Sequence, residues 1–175
     1  MHVMDIAENS VGGKAKNIAI TVEENTYKDY LMMKIVDDGK GMDAEFLANV
    51  VNPFTTTRTT RKVGLGIPLL KEACEACNGS FQIQSEVGLG TTVEARFQHS
   101  HIDRMPLGDI TDTIYCLVIA YPQIHWVFEY IVNGDVFYFD DQPIKKELEG
   151  IPLSDPGILG FIREYLDEGV NSIRL

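Results

Sequence analysis

Three Gly-x-Gly turns punctuate the first hundred residues: Gly39-Lys40-Gly41, Gly64-Leu65-Gly66 and Gly88-Leu89-Gly90. Each falls where a periodic segment begins or ends. Without a Cβ, the backbone there can approach a ligand closely. The charge balance makes such contacts important. The chain carries 15 Lys+Arg against 26 Asp+Glu, a formal net charge of -11. A surface this acidic repels a phosphate backbone, which excludes duplex DNA or RNA as the main partner. A phosphate-bearing ligand must be held locally, by backbone N–H groups, a metal ion or a few basic side chains.

The 175 residues, 45% hydrophobic and 23% charged, have globular composition. That length holds one ordinary domain, or a small one with an appendage. The longest uncharged apolar stretch, residues 114–121, is well below the roughly 20 residues a bilayer span needs. The N-terminus carries carboxylates where a signal peptide would be apolar, and three cysteines do not make a disulfide framework. No membrane partner is expected, and the cytoplasm is the expected compartment.

Val3, Ile6, Ala7 and Val11 recur at helical spacing, predicting a helix over residues 2–11. Residues 17–24 alternate as a half-buried strand, and residues 30–36 form a second strand. A short helix is expected over 43–50, with Asp43 as its cap. Residues 53–62 hold five threonines, two arginines, a lysine and no carboxylate, and show no periodicity. A helix over 67–77, closed by Asn78-Gly79, precedes strands over 80–85 and 91–97. After a polar hinge at 98–108, a second unit shows a helix over 109–120. A hairpin follows, with strands over 124–132 and 135–139 joined by Asn133-Gly134, and then a helix over 156–168. The expected domains are thus residues 1–100 and a C-terminal α+β extension over 109–175. The extension's role is not encoded in any motif. Its aromatics, Tyr115, Tyr121, Trp126, Phe128, Tyr130, Phe137, Tyr138 and Phe139, suit a compact core or a protein-binding face.

Four segments carry the chemistry: Asp5 to Ser10, Asp37 to Met42, Pro53 to Arg58 running on to Ile67, and Gly88 to Thr92. Neither Gly64-x-Gly66 nor Gly88-x-Gly90 completes a dinucleotide fingerprint, and no Gly-x-x-x-x-Gly-Lys-Ser/Thr is present. In this order and spacing, the four resemble the nucleotide-binding boxes shared by type II topoisomerases, large heat-shock chaperones, sensor histidine kinases and mismatch-repair ATPases. Stand-alone anti-sigma-factor kinases belong to the same superfamily. The resemblance covers residues 3–97. The stretches Asn52 to Thr57 and Gly64 to Ile67 are most similar to histidine kinases and mismatch-repair proteins. Residues 101–106 resemble small bacterial ATP-binding proteins that carry the domain without a sensor.

The resemblance implies a two-layer α+β sandwich: a mixed β-sheet with helices on one face, and ATP between the helices and a lid. It implies ATP and Mg²⁺ as cofactors. By resemblance, Asn9 is the Mg²⁺ ligand, Asp37 reads the adenine amine and Met42 packs on the ring. ATP carries about four negative charges, which Mg²⁺ halves, and Mg²⁺ prefers oxygen ligands. A carboxylate accepts from the exocyclic amine of adenine, where guanine presents a carbonyl, and Gly39 and Gly41 let the backbone approach the base. Gly64, Leu65 and Gly66 open a helix whose free N–H groups suit phosphate oxygens. Residues 53–63, with Thr56, Thr57, Arg58, Arg61 and Lys62, read as a lid ordering over the triphosphate. Thr91 is placed to join Asp37 around adenine through a water. Each residue alone has a plainer reading: Asn9 as a cap, Asp37-Asp38-Gly39 as a turn, Met42 as core filling, Thr91 as a strand former and 53–63 as a solvated basic loop.

Consuming ATP needs a base. The family commonly places Glu one helical turn before the metal-binding Asn; here that position is Asp5, one methylene shorter. The i to i+4 spacing keeps Asp5 and Asn9 on one face, while Glu8 points about 100° away and reads as solvent-facing. A histidine kinase also needs a helical domain with the phosphoacceptor His. This chain starts at the first box, and His2, His99, His101 and His125 lie in no phosphoacceptor pattern. His2 lies close enough in sequence to line the site, and His99 with His101 makes only a weak metal pair. Cys74-Glu75-Ala76-Cys77 lies within a predicted helix and reads as packing rather than zinc or redox chemistry. Two classes follow: a Mg²⁺-dependent ATPase or a kinase acting on a protein phosphoacceptor, and an ATP-responsive switch that binds a protein partner with little turnover.

Overall fold

A computed structural model describes residues 2–51 and 66–175. The chain runs α1 (Val3–Gly12), β1 (Asn17–Asn25), β2 (Tyr30–Asp37), α2 (Ala44–Val50), α3 (Gly66–Ala76), β3 (Ser80–Glu86) and β4 (Gly90–Gln98). It continues through α4 (Ile110–Ala120), β5 (His125–Val132), β6 (Asp135–Asp140), α5 (Gln142–Glu147) and α6 (Pro156–Ile173). Among the described residues the strands form a 6-stranded mixed sheet in the order β3-β4-β2-β1-β5-β6.

Alternation decides what the sheet buries. Ile18, Ile20 and Val22 of β1 point the same way as their cross-strand partners Asp37, Ile35 and Met33 of β2. Val93, Ala95 and Phe97 continue that face on β4, and Trp126, Phe128 and Tyr130 continue it on β5. The apolar stripes of α1, α3, α4 and α6 join the same core cluster, giving two layers. Asp37 and Thr91 close one end of this face, opposite each other in register.

Residues 109–175 add to this sheet. The β5 strand pairs parallel with β1, Asn17 against His125 through Glu24 against Val132, and the β5–β6 hairpin turns at Asn133 and Gly134, both at positive φ. Trp126, Phe128, Tyr130 and Phe139 are core residues, whereas Tyr138 is exposed. Two helix ends also follow from chemistry. The Asp43 side chain accepts from the Phe46 amide at 2.8 Å, so Asp43 caps α2. At the end of α3, Asn78 takes the left-handed position (φ 55°) and the Gly79 amide bonds the Cys74 carbonyl at 2.8 Å. Gly79 serves close packing instead, since a Cβ there would meet the Arg96 carbonyl oxygen at 1.7 Å.

Candidate nucleotide site

A cavity of about 350 Å³ opens between α1, the end of β2, the 38–43 loop and the starts of α3 and β4. Its walls combine apolar residues (Ile6, Met42, Phe46, Ile67 and Val93) with the polar groups of Asn9, Ser10, Asp37 and Thr91. Few polar groups in a largely apolar cleft is the usual form of a small-molecule site.

Asp37 and Asp38 diverge because successive strand residues face opposite sides. Asp37 lines the cavity. Its Oδ2 accepts from the Ser10 hydroxyl at 2.6 Å and its Oδ1 from the Gly39 amide at 2.9 Å. Asp38 turns to the α1–β1 connection. Its carboxylate accepts from the Lys16 amide at 2.8 Å, the Asn17 amide at 2.9 Å and the Asn17 side chain at 2.7 Å. Burial acts to raise the Asp38 carboxyl, and these bonds outweigh it, holding the group below the usual carboxylate range.

The 38–43 loop is strapped to its neighbours. The Lys40 amide bonds the Gly13 carbonyl at 2.9 Å, the Gly88 amide bonds the Lys40 carbonyl at 2.8 Å, and the Met42 amide bonds the Ser85 hydroxyl at 2.8 Å. These contacts give the glycines a role beyond approach to a base. A Cβ on Gly39 would lie 2.7 Å from the Gly13 carbonyl oxygen, and one on Gly41 (φ 71°) would lie 2.0 Å from that of Glu86. At Gly90 (φ 121°) a Cβ would lie 2.0 Å from the Asp37 carbonyl oxygen. Loop, α1 and the β3–β4 turn can nest only because those side chains are missing.

Asn9 is half-buried on the cavity wall, and its Nδ2 has no hydrogen-bond partner among the described residues. A buried amide left this way calls for a partner. Gly66 opens α3 beside it: a Cβ there would lie 3.3 Å from the Asp5 Cβ and 4.0 Å from Asn9 Nδ2. The crossing of α1 and α3 thus brings Asp5, Asn9 and the first turn of α3 together. Asp5 itself is exposed and lies outside the cavity lining, whereas the exposed Glu8 lies on it. The Thr91 hydroxyl pairs with that of Ser85 at 2.8 Å. Thr56, Thr57, Arg58, Gly64 and Leu65, with the rest of the expected lid, lie outside the described residues.

Ser10 falls in the first of the four segments but has no role assigned by sequence, and Ser85 and Phe46 are additions from the structure. A signal for Ser10 existed: it is the polar member of the otherwise apolar face Val3, Ile6, Ala7, Ser10. Ser85 had none, because its role depends on the β3–β4 register.

The other candidate chemistries lie elsewhere. His2 borders a separate cavity of about 60 Å³ beside α3, where burial pushes its imidazole below the usual value. His99 Nε2 pairs with Glu24 Oε1 at 3.0 Å, and His101 Nδ1 accepts from the Asp103 amide; neither belongs to the one group of three possible metal ligands found among the described residues. Cys74 on α3 and Cys77 just past its end are buried, and burial pushes the Cys74 thiol up to about 12, which suits packing.

Among the described residues, no helix is long and apolar enough to cross a membrane. Residues 2–101 match the family described as histidine kinase-, DNA gyrase B- and HSP90-like ATPases. The chain is similar to the sensor histidine kinase YvrG of Bacillus subtilis (strain 168), 30% identical over 103 residues, covering 53% of this chain and 17% of that protein. It is similar to sporulation kinase D of the same organism at 29% over 91 residues, covering 52% of this chain and 18% of the kinase. It is also similar to the sensor protein SrrB of Staphylococcus aureus (strain NCTC 8325 / PS 47), at 39% over 80 residues, covering 43% of this chain and 13% of SrrB. The chain therefore spans less than a fifth of the length of each of these relatives. Among solved structures, the topoisomerase IV ATP-binding domain of Francisella tularensis aligns with a TM-score of 0.46 and 14% identity, over 78% of this chain and 83% of that one. With more than half of its length matched, the chain belongs to the histidine kinase-, DNA gyrase B- and HSP90-like ATPase family.

Proposed function

We propose that the cavity binds ATP with Mg²⁺, and that the protein acts as a Mg²⁺-dependent ATPase or protein kinase working on a protein partner in the cytoplasm. Membership of an ATPase family implies ATP binding. The observation that carries the reading is the divergence of the two aspartates: Asp38 is spent on the chain itself, while Asp37 is buttressed and faces the cavity. Asp37 accepts the exocyclic amine of adenine, with Met42 against the ring and Thr91 beside it. The residues present fit the metal as well. Asn9 lies on the cavity wall, where its side-chain oxygen is a neutral ligand of the kind Mg²⁺ accepts and its Nδ2, unpartnered among the described residues, suits a phosphate oxygen. The bound ion would offset phosphate charge in an acidic protein. The Gly66 and Ile67 amides, at the start of α3, receive phosphate oxygens, Pro68 having no N–H to offer, and Thr56, Thr57, Arg58, Gly64 and Leu65 belong to the lid.

Turnover falls to Asp5 as the base that orients the acceptor. A second reading is favoured by one observation: Asp5 is exposed and outside the cavity lining. In that reading ATP binds, orders the lid and shifts affinity for a protein partner with little hydrolysis. The test measures ATP affinity and phosphate release side by side. Turnover lost in Asp5→Asn and raised in Asp5→Glu marks the enzyme. Binding without phosphate release or phosphotransfer in any variant marks the switch.

A further inference from the structure

The Asp37 carboxylate has one side-chain hydrogen-bond partner among the described residues, the Ser10 hydroxyl at 2.6 Å. Its other partner is the Gly39 amide. Thr91, although opposite Asp37 in register, is paired with Ser85. Ser10 is only 6% exposed and follows Asn9 on α1, in line with the buried Ile6 and Ala7. An apolar side chain would suit the packing there, so the hydroxyl's work is its bond to Asp37. An ionised carboxylate can only accept. The single Ser10 proton is therefore directed at Oδ2, and together with the Gly39 amide it fixes the carboxylate plane while leaving lone pairs toward the cavity.

We propose that Ser10 is the positioning residue for base selection: it holds Asp37 as an acceptor aimed at a 6-amino group, so that nucleotides bearing that amine are preferred over those lacking it. This rests on the ATP-binding reading above. Although Ser10 also lines the cavity, its role in base selection is exerted through Asp37.

The test titrates wild type, Ser10→Ala and Asp37→Ala with Mg²⁺ and either ATP or purine riboside 5′-triphosphate, which lacks the 6-amino group. Ser10→Ala is expected to weaken ATP binding about tenfold, the scale of one hydrogen bond to a charged group, and to leave the analogue's affinity unchanged. In the Asp37→Ala background the Ser10 substitution is expected to have no further effect on ATP. Ser10→Cys, which keeps the side-chain size without a strong donor, should reproduce the selective loss if Ser10→Ala folds poorly. An equal loss for both nucleotides, or no loss, overturns the assignment while leaving ATP binding standing. Failure of wild type to bind ATP overturns both.

Discussion

Two polar clusters sit on this sheet, each beside a cavity, and their charges are met differently. In the first, Asn9, Ser10, Asp37 and Thr91 border a cavity, with one amide unpartnered among the described residues and a carboxylate propped from behind. In the second, His125, Asp140, Asp141 and Lys145 gather where β5, β6 and α5 meet. His125 Nδ1 pairs with Asn17 and its Nε2 with Asp140 at 2.8 Å. Asp141 Oδ1 accepts from the Trp126 amide, and the Lys145 ammonium lies 2.6 Å from Asp141 Oδ2 while donating to the Ile124 carbonyl. His125, Asp140 and Asp141 lie close enough together to hold a metal ion, yet the lysine already supplies the positive charge. The second cluster also borders a cavity, of about 310 Å³; the difference is that a lysine, a histidine and backbone amides meet its carboxylates, whereas Asp37 is held by one hydroxyl and one amide and keeps capacity toward its cavity.

If the two clusters share one core, damage to the second must reach the first. Trp126 is 1% exposed, and its indole N–H bonds the Tyr121 carbonyl at 3.1 Å. Trp126→Ala is expected to cost about 3–5 kcal/mol, with one cooperative transition when denaturation is followed both by circular dichroism and by release of bound ATP. Two separate transitions would break the picture of a common core.

Next in size, Asp37→Ala is expected to lower ATP affinity by between about 10- and 100-fold with the fold retained, read by calorimetry. Asn9→Ala should erase most of the Mg²⁺ dependence of ATP binding, seen by titrating with and without a chelator.

The second cluster has a signature in pH. Burial holds the Asp141 carboxyl above its ordinary value of 3.8 despite Lys145, so the folded chain takes up this proton more readily than the unfolded one. That contribution to stability is fully present below the ordinary value and is lost as pH rises through the raised one. Asp141→Asn should flatten the dependence of the unfolding midpoint on pH across that window, and an unchanged slope would count against it.

The smallest effect sharpens the contrast best. Asp38→Ala is expected to cost about 1 kcal/mol in stability, the scale of a lost cap or turn bond, and to leave ATP affinity unchanged. A large fall in affinity would mean that the neighbouring aspartates share one role.

Much of the front half is written locally. The spacing of Val3, Ile6 and Ala7 makes α1, the alternation from Ile18 to Val22 makes β1, and Asp37-Asp38-Gly39 marks the strand end where the cavity opens. What escapes a linear reading is set by contacts across long separations. The parallel pairing of β1 with β5 joins residues 108 positions apart, and neither strand carries a local mark of it. The Ser85–Thr91 pair depends on register. The glycines were legible as permissive backbone, but the segments they admit, Gly13 against Gly39 and Glu86 against Gly41, were not.

The account stands most directly on a calorimetric titration of the protein with ATP and Mg²⁺, wild type beside Asp37→Ala and Asp38→Ala. Saturable uptake by wild type and Asp38→Ala, lost or strongly weakened in Asp37→Ala, is the predicted result. No heat of binding in wild type, or equal uptake by all three, would contradict it.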